Sequence, residues 1–201
     1  MRHLTRCKPY RSVVGGSLGL LDRLAQSLGR CVRDRSGQAL VEAALVFPML
    51  ISVFLGVSEF SQAFTVKRRL EAAANTAADL VARTQSIATA DLTGIKAMID
   101  EMLKPYPTTT LGLTISSVVA DQDNATRVAW SYAQGSGATA RTSGASVSLP
   151  PDLTEPNSSI VFAEVNYTFR STLGQMIVGD VSSTAQAYLR PRASNQVARA
   201  P

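Results

Sequence analysis

The stretch Arg33-Asp34-Arg35-Ser36-Gly37-Gln38-Ala39-Leu40-Val41-Glu42-Ala43-Ala44-Leu45-Val46-Phe47-Pro48-Met49-Leu50-Ile51 decides the fold of this chain of 201 residues. A basic segment ends at Gly37, and an apolar segment follows directly and continues to Phe60. As a helix at ~1.5 Å per residue, residues 39–60 span roughly 33 Å, which matches a bilayer core of about 30 Å. We therefore predict a transmembrane helix over residues 38–60, with a kink at Pro48.

Two other interpretations of this segment are weaker. A buried helix of a globular protein has one apolar stripe, whereas residues 45–55 are apolar all round. A secretory signal peptide has a shorter apolar core and a nearby cleavage site of the A-x-A type, which does not follow promptly here.

Glu42 is the exception within the apolar segment, which carries no further charge before Glu59. A carboxylate within a membrane helix is costly and is usually functional. Near the end of the helix, its side chain can also simply reach the interface. Both interpretations remain open from the residues alone.

The net charge of +5 belongs to the N-terminal arm. Residues 1–37 contain eight basic and two acidic residues, whereas the remaining chain contains twelve basic and thirteen acidic residues. The segment after Gly37 has no basic excess with which to bind phosphates, which argues against a nucleic-acid partner. The arm itself is suited to an anionic membrane surface.

The sequence contains few of the residues and motifs that catalysis needs. Both cysteines and the single histidine lie in the arm, so the chain from Gln38 onward offers no Ser-His or Cys-His pair and no soft metal site. No nucleotide-binding or hydrolase motif occurs. We predict that the protein is not an enzyme, has no catalytic residue, and needs neither a metal nor a cofactor.

The remaining pattern predicts an α+β head. Apolar and alanine positions from Phe60 and Phe64 through Leu70 recur at helical spacing, so one helix is expected from about Gln38 to about Thr84. A second helix is expected over residues 90–103, ended by Pro105. Period-two patterns then predict four strands over residues 113–120, 127–132, 160–169 and 182–189, arranged as an antiparallel meander covered by the long helix. Residues 133–159 are expected to be an unpacked loop.

The resulting organisation is a basic cytoplasmic leader (1–37), a transmembrane helix (38–60), an α+β head (61–192) and a disordered tail (193–201). The basic residues before the span favour a cytoplasmic N-terminus.

Residues 37–50 and 55–60 resemble the start of TadE-like proteins of the tight-adherence (Flp) pilus system. The alanine-rich segments 69–74 and 77–83 are similar to that family's helix. The strand segment 165–169 and the closing segment 189–192 are similar to its last strands. The resemblance covers roughly residues 35–192 and is most specific at its N-terminal part.

The resemblance implies a pilin-like fold and a pseudopilin, a minor subunit of a type IV pilus. It implies cleavage by a prepilin peptidase between Gly37 and Gln38, which makes Glu42 residue five of the mature chain and a candidate for subunit assembly. The implied location is the bacterial inner membrane, single-pass, with the head in the periplasm. The implied partners are the peptidase, other Tad pilins and pseudopilins, and the Tad inner-membrane assembly platform, in a process of pilus assembly, adhesion and secretion.

Two alternatives remain beside this interpretation. The chain can be an uncleaved bitopic scaffold of the same system, because Ala43 follows Glu42. It can also be a periplasmic binding module that uses the loop 133–159 as its contact surface.

Overall fold

The computed structural model describes residues 35–170 and 179–200. Most of the predicted leader 1–37 therefore lies outside the described residues. Along the chain, the elements are α1 (Arg35–Ala82), β1 (Ser86–Ile87), α2 (Thr89–Leu103), β2 (Gly112–Ala120), β3 (Thr126–Gly135), β4 (Ser159–Phe169), β5 (Val181–Leu189) and β6 (Ala198–Arg199). The predicted α+β class with one long apolar helix and four antiparallel strands is confirmed.

The chain divides into two compact units, the first ending at Val53 and the second running from Phe54 to the C-terminus. The first unit contributes the N-terminal part of α1. The second unit, called the head below, contains the rest of α1 and all other elements.

The part of α1 in the head covers the sheet with small and aliphatic side chains. Leu70 and Val81 are fully buried, and alanines fill the turns between them. The buried stripe comprises Val66, Leu70, Ala73, Ala74, Ala77, Ala78, Val81 and Ala82. Small side chains let the helix approach the strands closely, and burying a residue such as Leu70 contributes about 1.5–3 kcal/mol.

The stripe is shorter at its N-terminal end than the sequence predicts. Phe60 and Phe64 remain 73% and 54% exposed and stack on each other with ring centroids 6.4 Å apart. Val66 is the first fully covered apolar residue of α1. Helical spacing alone does not distinguish a position over the sheet from one beyond its edge.

The four-stranded sheet has the order β3-β2-β4-β5, and all its neighbours are antiparallel. The predicted meander is therefore wrong at one connection, because β4 pairs with β2 and not with β3. Ile115 lies between Tyr132 of β3 and Ala163 of β4. The long connection 136–158 makes this possible, since it carries the chain from one edge of β2 to the other.

Alternation along the strands separates two faces. One face of β2 and β4 contributes Leu113, Ile115, Val161 and Val165 to the core under α1. The other face carries Ser116, Phe162 and Glu164, among other side chains. A sheet with one aliphatic and one polar-aromatic face is expected when a helix covers only one side.

The connection 136–158 also corrects the prediction of an unpacked loop. Val128 of β3 accepts a hydrogen bond from the amide of Gly144 at 2.7 Å, and its own amide donates to Ala145 at 2.9 Å. Arg127 and Ser146 form an isolated antiparallel bridge. The segment lies along the outer edge of β3, a contact between distant residues that local composition does not reveal.

The predicted disordered tail is wrong for residues 193–200. β6 pairs in parallel with β1, and Val197 is fully buried. The indole Nε1–H of Trp130 donates to the carbonyl of Val197 at 2.7 Å. The tail is mostly polar, but Val197 is buried and its carbonyl is the partner that the buried indole N–H of Trp130 needs.

Candidate membrane anchor and processing site

The N-terminal part of α1 exposes a continuous apolar surface. Every residue from Gly37 to Phe54 is exposed, and large side chains such as Leu40, Leu45 and Phe54 are 72–75% exposed. Isolated exposed apolar side chains are ordinary on soluble proteins, but a surface of this extent indicates an apolar environment or a partner.

The helix has the length and composition of a membrane span. The candidate segment is Gly37–Ala82, with a mean hydropathy of 2.3 in its most apolar window and none of that window buried. The absence of burial separates it from the core helix of a soluble protein, which passes the same test of length and composition. The long apolar helix thus indicates a single-pass membrane anchor.

One polar side chain inside the apolar segment, that of Ser52, is satisfied within the helix. Pro48 lies inside α1 and lacks the N–H that would bond to the preceding turn. The hydroxyl of Ser52 donates to the carbonyl of Pro48 at 2.8 Å. Internal satisfaction of this kind is what a helix in hydrocarbon requires, since water is absent there.

Gly37 and Gln38 lie in the first turn of α1, which begins at Arg35. A Cβ atom added to Gly37 meets no atom within 4 Å, so the residue is fully accessible. Gly37 and Gln38 are both exposed, so the bond between them lies in an exposed part of α1.

Glu42 lies one turn after Gln38 and is exposed, surrounded by exposed apolar side chains. Its position on the same helix as Gly37 and Gln38 follows directly from the sequence. The structure thus brings the three predicted residues to one end of α1.

At the other end of the anchor, Arg69 connects α1 to the segment that follows α2. Its guanidinium donates to the carbonyl of Lys104 and lies 5.6 Å from the ring centre of Tyr106. Arg68, one residue earlier, lies 6.0 Å from the ring centre of Phe64. The Arg69 contacts therefore fasten α1 to the segment after α2, whereas the Arg68 contact stays within α1.

A second polar cluster, on the uncovered face of the sheet, was not identified from the sequence. Arg141 reaches from the connection 136–158 to Glu164 at 2.7 Å and lies 4.4 Å from the ring centre of Phe162. Tyr188 stacks on the same ring with centroids 4.6 Å apart. Local sequence around Arg141 contains only small and polar residues, so nothing in the pattern pointed to this arrangement.

The electrostatics of this cluster affect Tyr188. Burial is the main cause that raises the pKa of Tyr188 above its ordinary value of 10.0, and Glu164 raises it further while Arg141 opposes the change. Burial likewise raises the pKa of Tyr167, with a smaller contribution from Tyr106. Both phenols are therefore neutral at physiological pH and act as packing and hydrogen-bonding groups.

Within the described residues, no group of three or more His, Cys, Asp or Glu side chains is placed to hold a metal ion. A cavity of about 220 Å³ lies where α1 meets the end of β4, with Gln62, Tyr106 and Tyr167 in its lining. Its size is below the usual range for small-molecule sites.

The long helix matches the model of a known protein family. The model of the family described as "TadE-like protein" matches residues 37–79, which comprise most of α1. Neither a curated protein nor a solved structure matches the chain. The matched region contains Gly37, Gln38, Glu42 and the alanine-rich stripe, and it ends before the sheet begins.

The resemblance stated from the sequence is thus confirmed over residues 37–79, where the long helix is similar to TadE-like proteins, a family associated with the Tad pilus.

Proposed function

We propose that the protein is a pseudopilin of a Tad/Flp type IV pilus system, cleaved by a prepilin peptidase after Gly37 and acting in pilus assembly or adherence. The observation that carries the proposal is the family match, which begins at Gly37 and continues through the exposed apolar helix. The exposure of Gly37 and Gln38 supports it, since a peptidase must reach the bond between them.

Cleavage would change the charge at the start of the helix. Gln38 would become the N-terminus and carry an ammonium group, four residues before Glu42. In a medium of low dielectric constant, an ammonium and a carboxylate attract each other strongly. Pairing between the ammonium of one subunit and Glu42 of the next would offset neighbouring helices by about 6 Å along their axes, from four residues at ~1.5 Å.

The location and partners follow from the same proposal. The arm before Gly37 would lie in the cytoplasm, where the peptidase acts, and the head would lie in the periplasm of the bacterial envelope. The partners would be the peptidase, other Tad pilins and pseudopilins, and the inner-membrane assembly platform. The head would provide contacts with these partners, and those contacts would make the binding more specific than a helix alone could.

The test is the N-terminal sequence and intact mass of the membrane-extracted protein, with and without a co-expressed Tad-type prepilin peptidase. We expect a chain beginning at Gln38 only when the peptidase is present. Gly37→Ala should abolish cleavage. Gly56→Ala is the matched control, because both glycines lie in α1 and neither has an atom within 4 Å of an added Cβ.

The outcomes separate processing from folding. A Gly→Ala change inside a helix favours the helix, so loss of cleavage in Gly37→Ala cannot be attributed to unfolding. An intact leader in every sample would overturn the proposal of processing.

Glu42 is tested next in the cleaved protein. We expect Glu42→Gln to leave cleavage unchanged and to abolish incorporation of the subunit into the pilus machinery, measured by co-purification with the other pilins. Glu59→Gln removes the carboxylate at the other end of the apolar segment and should retain incorporation. Equal incorporation of both variants would refute the role of Glu42.

A second candidate function is an uncleaved bitopic scaffold in the same system. Ala43 favours it, because processed relatives often carry an aromatic residue directly after the glutamate. In that case the leader remains, the head alone carries the function, and the two Gly→Ala variants behave identically.

A further inference from the structure

The apolar surface of α1 continues beyond the predicted span into the head. Phe60 and Phe64 are 73% and 54% exposed, and their rings stack with centroids 6.4 Å apart. Val57, about one turn before Phe60, is 64% exposed. Large apolar side chains that are exposed in a row indicate an apolar environment or a partner. The two rings therefore extend the surface of the membrane anchor by about one helical turn into the head.

Both rings point away from the sheet. Val66 is 1% exposed and belongs to the core under the sheet, and it follows Phe64 by two residues. At 3.6 residues per turn, two residues correspond to a rotation of about 200° around the helix axis. Phe64 therefore lies nearly opposite Val66, and Phe60 lies on the same face one turn earlier. The core of the head does not account for these two side chains.

Two cations follow on the same face of α1. Lys67 and Arg68 are exposed and lie three and four residues after Phe64, where side chains on a helix are neighbours. The guanidinium of Arg68 lies 6.0 Å from the ring centre of Phe64. Most other basic side chains of the head form ion pairs. Among the residues that the structure describes, neither Lys67 nor Arg68 lies within ion-pair distance of a carboxylate.

The heights of these side chains along α1 match the layers of a bilayer. Phe64 lies about 6 Å and Lys67 about 10 Å beyond Phe60, where the apolar segment ends. The headgroup layer extends about 5–7 Å beyond the hydrocarbon on each side. Side chains of a helix tilt toward its N-terminus, which here is toward the membrane, and a lysine stem can lie along apolar surface. The charged groups of Lys67 and Arg68 therefore return to about the height of the headgroup layer.

The base of the head lies at the same height. Gln62, which lies between the two phenylalanines in the sequence, lines a cavity together with Thr109 and Arg170. The rings and the cations thus lie on the end of the head that is nearest to the anchor. On the same face, the side chains of Glu71 and Asn75 follow at the next turns and are exposed and polar. The surface suited to lipid therefore ends about one turn beyond Lys67.

The composition of this surface indicates a lipid partner. A stable protein interface uses roughly 20–30 residues on each side, which is far more than two rings and two cations. The rings are continuous with the apolar surface of the anchor. Cations without a carboxylate partner complement the phosphates of anionic lipids, and each Lys or Arg near such a surface raises affinity about fivefold.

From these observations we propose that Phe60, Phe64, Lys67 and Arg68 form a lipid-binding surface, with which the head docks onto anionic phospholipids of the adjacent leaflet. The rings contact the upper acyl chains and the glycerol groups, and the two cations bind the phosphates. Docking fixes the depth of the head and enriches anionic lipids around it. The proposal depends on the membrane anchor, but it depends neither on cleavage at Gly37 nor on which side of the membrane the head lies.

Quenching of an introduced indole by brominated lipids tests this contact in the full-length protein. Trp130→Phe removes the single tryptophan, and Phe64→Trp places an indole on the proposed surface. The protein is reconstituted in vesicles of phosphatidylcholine and phosphatidylglycerol, with bromine on the acyl chains of one lipid at a time. At equal mole fractions, brominated phosphatidylglycerol should bind next to the indole at least about fivefold more strongly than brominated phosphatidylcholine.

A depth control uses the same face of the helix. In place of Phe64→Trp, the variant Asn75→Trp puts the indole about 16 Å farther along the axis, where neither lipid should quench it. Equal quenching of Phe64→Trp by the two lipids, or no quenching by either, would overturn the proposal. Shielding of Phe64→Trp from both lipids and from aqueous acrylamide would show that protein covers this face instead.

Neutralising the cations tests their role. In the Phe64→Trp protein, Lys67→Gln together with Arg68→Gln should abolish the preference for phosphatidylglycerol, while both lipids still quench the indole. The matched control is Arg83→Gln together with Arg192→Gln, which removes the same charge from side chains that are 62% and 60% exposed at the other end of the head. The control should retain the preference. An equal loss in both double variants would assign the preference to net charge and would overturn the proposed surface.

Discussion

Replacing Arg141 by alanine should lower the free energy of unfolding of the head by about 3 kcal/mol. The guanidinium lies 2.7 Å from Glu164, donates to the hydroxyl of Ser116 at 3.3 Å and lies 4.4 Å from the ring centre of Phe162. The Arg141 and Glu164 side chains are only 25% and 19% exposed, so solvent screens them partially. The backbone amide of Arg141, which donates to Ser131, is retained in the variant.

The magnitude combines two contributions. A hydrogen bond between charged groups contributes about 1.5–3 kcal/mol, and its loss leaves the Glu164 carboxylate with only the amide of Gln186. The contact between the guanidinium and the Phe162 ring contributes about 1 kcal/mol at a partly exposed site. Both contributions come from the Arg141 guanidinium and are not independent, so we take a total of about 3 kcal/mol, near the middle of the combined range.

Thermal unfolding of the full-length protein in detergent measures this change. Trp130 is the single tryptophan of the chain and is 9% exposed, so its fluorescence reports on the head. At roughly 2–4 °C per kcal/mol, a loss of about 3 kcal/mol lowers the Tm by about 6–12 °C. Arg127→Ala is the control, because Arg127 is exposed on β3 and should change stability by less than about 0.5 kcal/mol.

A double-mutant cycle identifies the partner. If Arg141 acts through Glu164, then Arg141→Ala should cost about 1–2 kcal/mol less in the Glu164→Gln background than in the original protein. A loss below about 1 kcal/mol in the single variant, or strictly additive effects in the cycle, would refute the reasoning that this loop is fastened to the sheet by Arg141.

Leu70→Ala should destabilise the head by about 2–5 kcal/mol, because Leu70 is fully buried between α1 and the sheet; chemical denaturation monitored by tryptophan fluorescence measures it. Trp130→Phe should cost about 1 kcal/mol by removing the hydrogen bond to Val197, and it should increase proteolysis at the C-terminus, measured by mass spectrometry. Because burial and Glu164 raise the pKa of Tyr188 above 10.0, its stabilising contribution is complete below pH 10 and is lost as the pH rises through the folded-state pKa. Tyr188→Phe should therefore show a smaller loss of Tm between pH 9 and 11 than the original protein.

For each of these three predictions, one result would contradict it. Leu80 lies on the same helix and is 37% exposed, so Leu80→Ala should have a clearly smaller effect than Leu70→Ala, and equal effects would place the helix stripe elsewhere. Unchanged C-terminal proteolysis in Trp130→Phe would show that Val197 is held by its own burial alone. An identical alkaline profile for Tyr188→Phe would assign the alkaline transition to other groups.

The anchor and the class of fold could be predicted from residues that are close in sequence. A membrane helix needs a run of apolar residues of fixed length, and the strands showed alternation, so α1, α2 and the four main strands were predicted within a few residues of their observed ends. Gly37, Gln38 and Glu42 were named from the resemblance of this segment to TadE-like proteins, and their proximity follows because they are close in sequence on one helix.

The predictions from sequence failed where a residue's contact partner is far away in the sequence. Gln186 and Glu164 are neighbours only because β5 pairs with β4, and Arg141 reaches them from a connection whose composition is that of an ordinary loop. The tail was predicted to be disordered because residues 193–201 are mostly polar and small. Its order depends on Val197 and on the indole of Trp130, 67 positions earlier.

The sequence by itself determined the membrane-spanning helix, the accessible glycine at its start and the α+β class, since each depends on local hydrophobic pattern and length. Only the tertiary structure decided the strand order, the protection of β3 by residues 142–147 and the position of β5 at the edge of the sheet. Strand pairing is made by backbone groups that every residue carries, so the identity of a strand's neighbour is set by how the whole chain packs and not by its own side chains.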